Sequence, residues 1–439
     1  MSEREWTNVA ISACLEKAFA GEWGAEPAPA NAVVLRATDI DNDGHVVGVG
    51  APRAIPKGKL SAKQMIDGDI LLEGSGGSPD NPVGRVALFE TADHVQPTIC
   101  SNFFKTLRPN RQLINERFLW RKLCWFYRQP ALLSMQQQTT GIINLKFQDY
   151  LAAEITLPAD KAEQAKIAEV LDTLDTTIRQ TEAIIEKLKQ VKQGLLHDLL
   201  TRGIDANGEL RPPHSEAPHL YKASPLGWIP VEWLAKPLGE IADLQVGFAF
   251  KSEWFQDTGG VRLLRGDNVG YGKPDWSSAK FLDPDTSKRF EDYALNDGDI
   301  VVGMDRTFTK SGSKFSAIGA PDLPCLLVQR VGRFVAKACT LRFLRVLTLW
   351  PDFHTELMAQ QKGMDIPHLS KTEILEPCVP VPSLDEQDEI SNRIAAIEAR
   401  IGAELQSVEK ARLLKSGLMD DLLTGRVRVT PLLNQPATT

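Results

Sequence analysis

The stretch KQGLLHDLLTRG (Lys192–Gly203) returns as KSGLMDDLLTGR (Lys415–Arg426), 223 residues further along a 439-residue chain. The match runs back without a gap. Glu163-Gln164 aligns with Glu386-Gln387, Ile167 with Ile390, Leu171 with Ile394 and Gly194 with Gly417. Upstream, INLKFQDYLAAEITLP (Ile143–Pro158) parallels PHLSKTEILEPCVPVP (Pro367–Pro382) at an offset of 224. IDGDILLEG (Ile66–Gly74) parallels NDGDIVVGM (Asn296–Met304) at 230, and VVLRATDI (Val33–Ile40) parallels RLLRGDNV (Arg262–Val269) at 229. Four blocks in one order at nearly one offset mark a tandem duplication, so the fold must be one that can be built twice.

Each copy closes in a long helix. The helices are predicted to start after Pro158 and Pro382, in polar stretches (Ala159-Asp160 and Ser383-Leu384-Asp385) suited to capping. No proline interrupts 163–201 or 386–424, and Gly203 or Gly425 stands at the end. At 1.5 Å per residue each would reach roughly 58 Å. Apolar residues recur in steps of four and three at Ile167, Leu171, Leu174, Ile178, Ile185, Leu188, Leu195 and Leu199. The second helix matches with Ile390, Ile394, Ile397, Ile401, Val408, Ala411, Leu418 and Leu422. That 3.5-residue repeat is the seam of a left-handed coiled coil. Polar residues break both seams at matching places, Thr181 with Glu404 and Lys192 with Lys415. Packing of each helix on its own domain alone is the simpler alternative, but globular helices seldom run so long.

The regions before the helices read as mixed α/β. DGDILLEG and DGDIVVG are Asp-Gly turns feeding apolar strands. RVALFE and CTLRFLRVL are read as further strands, and Arg117–Pro130 and Thr348–Gln361 as largely helical. The Pro- and Gly-rich stretch Gly203–Gly227 is expected to cross the surface. The expected class is therefore α+β: two tandem mixed α/β domains, each followed by a long helix. The boundaries are 1–158, helix 159–203, linker 204–227, 228–382, helix 383–426 and a tail 427–439.

A net charge of −7 hides two basic islands. Residues 105–128 hold Lys105, Arg108, Arg111, Arg117, Arg121, Lys122 and Arg128 against Glu116 alone. Residues 306–345 hold Arg306, Lys310, Lys314, Arg330, Arg333, Lys337, Arg342 and Arg345 against Asp322 alone. Acids gather instead in 160–186 and 383–409. Each island leaves room for a polyanion. The six cysteines are scattered and read as reduced, mostly buried thiols, with no zinc site. No apolar run of 18 residues and no signal-peptide pattern occurs, so no membrane partner and a cytoplasmic location are expected.

Catalytic motifs are missing. The DGD pairs offer carboxylates, but no His or further acid is spaced to complete a metal site, and a tight turn explains them better. There is no GxxxxGK[ST], no GxGxxG after a strand and no Asn-Pro-Pro-aromatic sequence; Asn81-Pro82-Val83 comes nearest to the last. The glycine-rich Gly74–Arg85 lies between strands, where a loop presenting polar groups fits better than a phosphate site. No cofactor and no catalytic residue are assigned.

Two variable domains, each followed by a near-identical helix, resemble the DNA-specificity subunit of type I restriction–modification enzymes. The matching residues are Pro158, Glu163-Gln164, Ile167 and Gly194–Gly203, and again Pro382, Glu386-Gln387, Ile390 and Gly417–Gly425. SPLGWIPVEWLAKPLGEIADLQVG (Ser224–Gly247) is similar to the usual start of a target-recognition domain, and in the first copy Trp6 and Gly21 fit that pattern loosely. The resemblance implies that each domain reads half of a split site in double-stranded DNA. It also implies that the helices pair antiparallel with pseudo-twofold symmetry, as a spacer that docks two methyltransferase subunits. Restriction (helicase-nuclease) subunits would join that core. The chain itself would be non-catalytic.

On that footing, and on the residue types that bind phosphates and base edges, the expected DNA contacts are Ser75, Ser78, Asn81, Arg85, Arg108 and Arg111 in the first domain. The second offers Arg306, Thr307, Thr309, Lys310, Ser313, Lys314, Arg330 and Arg333. Trp120, Trp125, Phe126 and Tyr127 are expected in the core. The competing readings are a coiled-coil adaptor without DNA recognition, which the basic islands disfavour, and a self-contained enzyme, which the missing motifs disfavour.

Overall fold

The computed structural model describes residues 6–26, 29–77, 82–93, 96–139, 142–309, 312–359 and 368–433. The chain forms two compact units, Met1–Ala183 with Gln406–Thr439, and Ile184–Leu405. The long helices run Lys161–Thr201 and Leu384–Thr424, and the unit boundaries fall inside them. Each unit thus contains a domain, the start of the helix that follows it, and the end of the other helix. No helix among the described residues is long and apolar enough to cross a membrane.

The duplication holds strand by strand. The first unit has an antiparallel sheet in the order Leu15–Ala20, Phe104–Pro109, Ile70–Glu73, Val86–Leu88. The second has Ala242–Val246, Val331–Ala336, Ile300–Gly303, Phe315–Ala317 in the same arrangement. Beside the first sheet, Ala32–Leu35 pairs parallel with Thr98–Cys100; beside the second, Val261–Leu264 pairs parallel with Cys325–Leu327. Trp6–Ala10 pairs with Glu154–Pro158, as Leu234–Pro237 does with Cys378–Val381.

The Asp-Gly-Asp segments are turns into fully buried strands. Gly68 and Gly298 sit at φ +81° and +85°, where a side chain would be strained. The Asp69 carboxylate accepts the Ile66 N–H at 2.8 Å, and that of Asp299 accepts the Asn296 N–H at 2.8 Å. Trp6 and Gly21, loosely matched in sequence, take the places of Trp233 and Gly247. A Cβ on Gly21 would lie 2.0 Å from the Ser101 carbonyl oxygen, and one on Gly247 2.2 Å from that of Val328. Gly425 faces Trp6 as Gly203 faces Trp233.

Each helix starts and ends in a domain core. In the first unit Ile167 and Leu171 join Ile70, Leu107, Phe118 and Trp120, and Met419, Leu422 and Leu423 enter the same cluster. In the second, Leu196, Leu199 and Leu200 meet Val302, Phe334 and Phe343 together with Ile390 and Ile394. Within each unit the helix segments run antiparallel: Asp175 meets Lys415 and Glu182 meets Arg412, while Lys192 meets Glu398. Burial along the predicted seam is uneven. Ile178, Ile185 and Val408 are buried, whereas Leu174, Leu188, Leu195, Ile397, Ile401 and Leu418 are half-buried.

Two expectations change. CTLRFLRVL, read as a strand, contains the helix Leu341–Leu347, capped by Thr340 Oγ1 accepting from the Phe343 N–H at 3.1 Å. Phe343, Leu344, Val346 and Leu347 are buried, a helical face that the mixed β-branched and aromatic composition disguises. The stretch 204–227 is more than a surface crossing: Arg211, Ala217 and Tyr221 are buried, and Tyr221–Ser224 pairs with Gly227–Pro230. Glu116–Tyr127 and Pro351–Ala359 are helices as expected. Trp120 and Phe126 are buried, while Trp125 and Tyr127 pack at the core margin. The described cysteines are free, and all but the half-buried Cys378 are buried.

Candidate nucleic-acid interface

The basic islands largely meet acids of their own unit. Arg117 and Arg121 each lie 2.7 Å from Asp172 on the first long helix. Lys122 is buried and donates to the Leu423 carbonyl at 2.6 Å. In the second unit Arg345 reaches Glu398 at 2.7 Å, and Arg342 donates to Asn392 at 2.7 Å. The acid-rich helices thus balance the arginine-rich domains that pack on them.

The predicted contact residues divide in the same way. Arg108 forks onto Asp69 at 2.8 and 2.6 Å, and Arg333 reaches Asp299 at 3.2 Å. In both domains, then, the second aspartate of Asp-Gly-Asp holds an arginine from the adjacent strand. Arg85 forks onto buried Glu73 at 3.0 and 2.9 Å, and fully buried Thr307 donates to the Gly303 carbonyl at 2.6 Å. Ser75 Oγ donates to Asn144 Oδ1 at 2.6 Å, and Lys314 donates to the Gly266 carbonyl at 3.1 Å. Arg111 is half exposed and bonds the Asp67 carbonyl. Ser313 and Thr309 lie in a two-residue pairing of Phe308–Thr309 with Gly312–Ser313. Ser78, Asn81 and Lys310 lie outside the described residues.

Two arginines stand apart. Arg306 and Arg330 have φ of +48° and +64°, the only non-glycine residues in the left-handed region among those described. Such strain persists where the surroundings impose it. Arg306 is exposed, with no side-chain partner among the described residues. Arg330 is exposed and held by Asp305 at 2.7 Å, whose other oxygen meets His368 at 2.7 Å. Burial pushes the Asp305 carboxyl up, but its bonds from Arg330 and His368 prevail and hold it below the usual carboxylate range.

Two arrangements escaped the sequence reading. The first is the work of the Glu-Gln pair. Gln164 accepts the Asn115 N–H at 2.8 Å and donates to the Pro158 carbonyl at 2.8 Å. Gln387 accepts the Thr340 N–H at 2.9 Å and donates to the Pro382 carbonyl at 3.0 Å. Each glutamine therefore ties the cap of a domain helix to the start of a long helix. Glu163 forks onto Arg428 at 2.6 and 2.7 Å, and Glu386 takes Arg211 at 2.5 Å. The spacing of the motif announces recurrence, but its partners lie too far along the chain to be read from it.

The second is an antiparallel ribbon, Gln136–Thr139 with Ile142–Leu145, paired onward to Ser75–Gly77. It lies beside the loop that the sequence singled out. A signal existed: Gln137-Gln138 has an echo in Gln360-Gln361 at the same offset of 223. Among the described residues, no group of three or more His, Cys, Asp or Glu is placed to hold a metal ion.

Comparison with known proteins agrees with this geometry. A family model described as type I restriction modification DNA specificity domain matches residues 56–190 and 230–410. The chain is 29% identical over 378 residues to the type I restriction enzyme MjaVIII specificity subunit of Methanocaldococcus jannaschii, spanning 85% of this chain and 83% of that protein. To the type I restriction enzyme EcoAI specificity subunit of Escherichia coli it is 32% identical over 254 residues, spanning 52% of this chain and 42% of that one. In structure it is similar to the S subunit of a type I restriction–modification system from M. genitalium, with a TM-score of 0.54 at 16% identity, covering 96% of this chain and 97% of that one. At that identity the structural likeness speaks for the fold.

Proposed function

The chain belongs to the type I restriction–modification DNA-specificity family, and we propose that each of its domains reads one half of a bipartite site in double-stranded DNA. It is the non-catalytic, specificity-giving member of a methyltransferase complex. The observation that carries this reading is the family match in both copies of a duplicated fold. Two domains of one architecture and divergent surface suit two different half-sites. The adaptor alternative rests on the coiled-coil pattern alone. Arg306, Arg330, Ser313 and Lys314 in the second domain, with Ser75 and Arg111 in the first, are the contacts favoured by position. Arg85, Arg108, Arg333 and Thr307 serve the fold first. With the chain and its methyltransferase partner present, whole-genome modification mapping is expected to find adenine methylation at a two-part motif with an unspecified gap. Both proteins present and no such motif would sink this function.

We infer that the methyltransferase subunits dock on the long helices, a reading supported by two matched patches. Val191 and Gly194 share one helical face, and Leu414 and Gly417 share the equivalent face; all four are exposed. A glycine inside a helix costs about 1 kcal/mol relative to alanine. A Cβ at Gly194 or Gly417 would meet nothing within 4 Å. Nothing described within the chain requires glycine there, so the requirement comes from outside it, where a partner approaches closely. One patch in each unit suits two methyltransferase subunits, with restriction subunits joining that assembly. Gly194→Ala with Gly417→Ala is expected to stabilise the free chain by about 1–2 kcal/mol. Gly194→Leu with Gly417→Leu should block co-purification and sedimentation with the methyltransferase subunit. Undiminished assembly by the leucine variant removes these patches from the interface.

A further inference from the structure

We infer that the ribbon Gln136–Thr139/Ile142–Leu145 of the first domain is the element that enters the DNA major groove, with the Gln137 carboxamide reading an adenine edge. This rests on the half-site reading above and adds to it the element, the groove and the base.

The ribbon has the shape that reading requires. A two-stranded antiparallel ribbon fits the major groove, and a glutamine carboxamide pairs bidentately with N6 and N7 of adenine. The register places Gln137 opposite Asn144, and Asn144 opposite Ser75, so three polar side chains form a row across three strands. Successive strand residues face opposite ways, which separates this row from the face that Gln136 and Leu145 turn inward.

The row is held from one end. Gln136 anchors the ribbon by accepting the Val83 N–H at 3.1 Å and donating to the Val83 carbonyl at 3.0 Å. Asn144 accepts from Ser75 Oγ at 2.6 Å and donates to the Ile142 carbonyl at 3.3 Å, which sets the orientation of its amide. Gln137 and Gln138 are exposed, and neither has a side-chain partner among the described residues. A fixed frame thus carries carboxamides with their donors and acceptors still open. Asn144 acts as the positioning residue and Gln137 as the reader.

The surroundings suit a polyanion. No aspartate or glutamate stands between Arg117 and Gln148. Lys146 is exposed at the foot of the ribbon, and Lys105 lies over the Phe147 ring. Ile142, 45% exposed, lies opposite Thr139 on the face of Gln137, where it can meet a thymine methyl. The row is polar, with Gln137 exposed and Asn144 and Ser75 half-buried, which favours a base edge over an apolar protein partner.

The test uses the full chain assembled with its methyltransferase partner, on duplexes carrying the site found by modification mapping and on scrambled duplexes. Gln137→Ala is expected to weaken binding to the cognate duplex about tenfold to a hundredfold and to leave the scrambled duplex unchanged. Replacing the contacted adenine by 7-deazaadenine should weaken the wild type and leave the variant unaffected. Unchanged discrimination by Gln137→Ala, or an equal loss on both duplexes, overturns the ribbon while the half-site reading stands. A wild type that binds both duplexes alike overturns the half-site reading and the ribbon with it.

Discussion

Asp175→Ala is expected to destabilise the chain by about 3–5 kcal/mol, because it strips a buried cluster of the carboxylate that its two buried cations share. Asp175 lies within salt-bridge distance of Arg121 and Lys415, both almost fully buried, and 3.4 Å from His45. Lys415 would then keep only the more distant Asp43, at 3.6 Å, and Arg121 only Asp172, at 2.7 Å, so two buried cations would lose the carboxylate they share. The second unit repeats the arrangement with Glu398, 2.5 Å from Lys192 and 2.7 Å from Arg345, but its groups are partly exposed. Glu398→Ala should cost only about 1 kcal/mol. Chemical denaturation of both variants decides it, and equal losses would refute the burial argument. The pH dependence has a definite sign. Burial pushes the Asp175 carboxyl up, but the His45 hydrogen bond and the charges of Arg121 and Lys415 outweigh it and hold it well below its ordinary 3.8. Its contribution is therefore present above pH 3.8 and is lost as pH falls through the lowered value. The gap between wild type and Asp175→Asn should narrow in acid.

A second loss of about 3–5 kcal/mol is expected from Glu386→Ala. Its carboxylate accepts Arg211 at 2.5 Å, the Trp233 indole N–H at 2.8 Å and the Ile204 backbone N–H at 2.7 Å. Trp233 is fully buried, so its indole N–H would have no water to turn to. Ile204 and Trp233 bond different carboxylate oxygens, so Glu386→Gln keeps an acceptor for only one of these two neutral donors and should recover less than half of the loss. Hydrogen exchange at Ile204 should quicken in the alanine variant. A wild-type rate there, with unchanged stability, would show that the Glu-Gln motif does not lock the helix end.

Much of the fold was legible in the residues. The duplicated Asp-Gly turns, the long helices and the Glu-Gln starts all appeared at expected places, since each depends on neighbours a few positions away. Leu341–Leu347 was misread because its short apolar run suits strand and helix alike, and only Thr340 as a cap and the buried face distinguish them. The candidate interface was less legible. Local charge density singled out Arg108, Arg121 and Arg333, yet their partners stand 39, 51 and 34 positions away. Gln137 drew no notice, for a polar run without charge carries no electrostatic signal.

By itself, then, the sequence determined that this protein is a fold made twice, with two long helices and membership of a DNA-specificity family. Repetition at a fixed offset and a 3.5-residue period are properties of order along the chain and survive without coordinates. Only the tertiary structure decided which cations remain exposed, what the Glu-Gln pair holds, and which polar residues stand in one row. Those depend on distance in space, where an acid from a helix cancels an arginine far from it in sequence and a strand register aligns Gln137, Asn144 and Ser75.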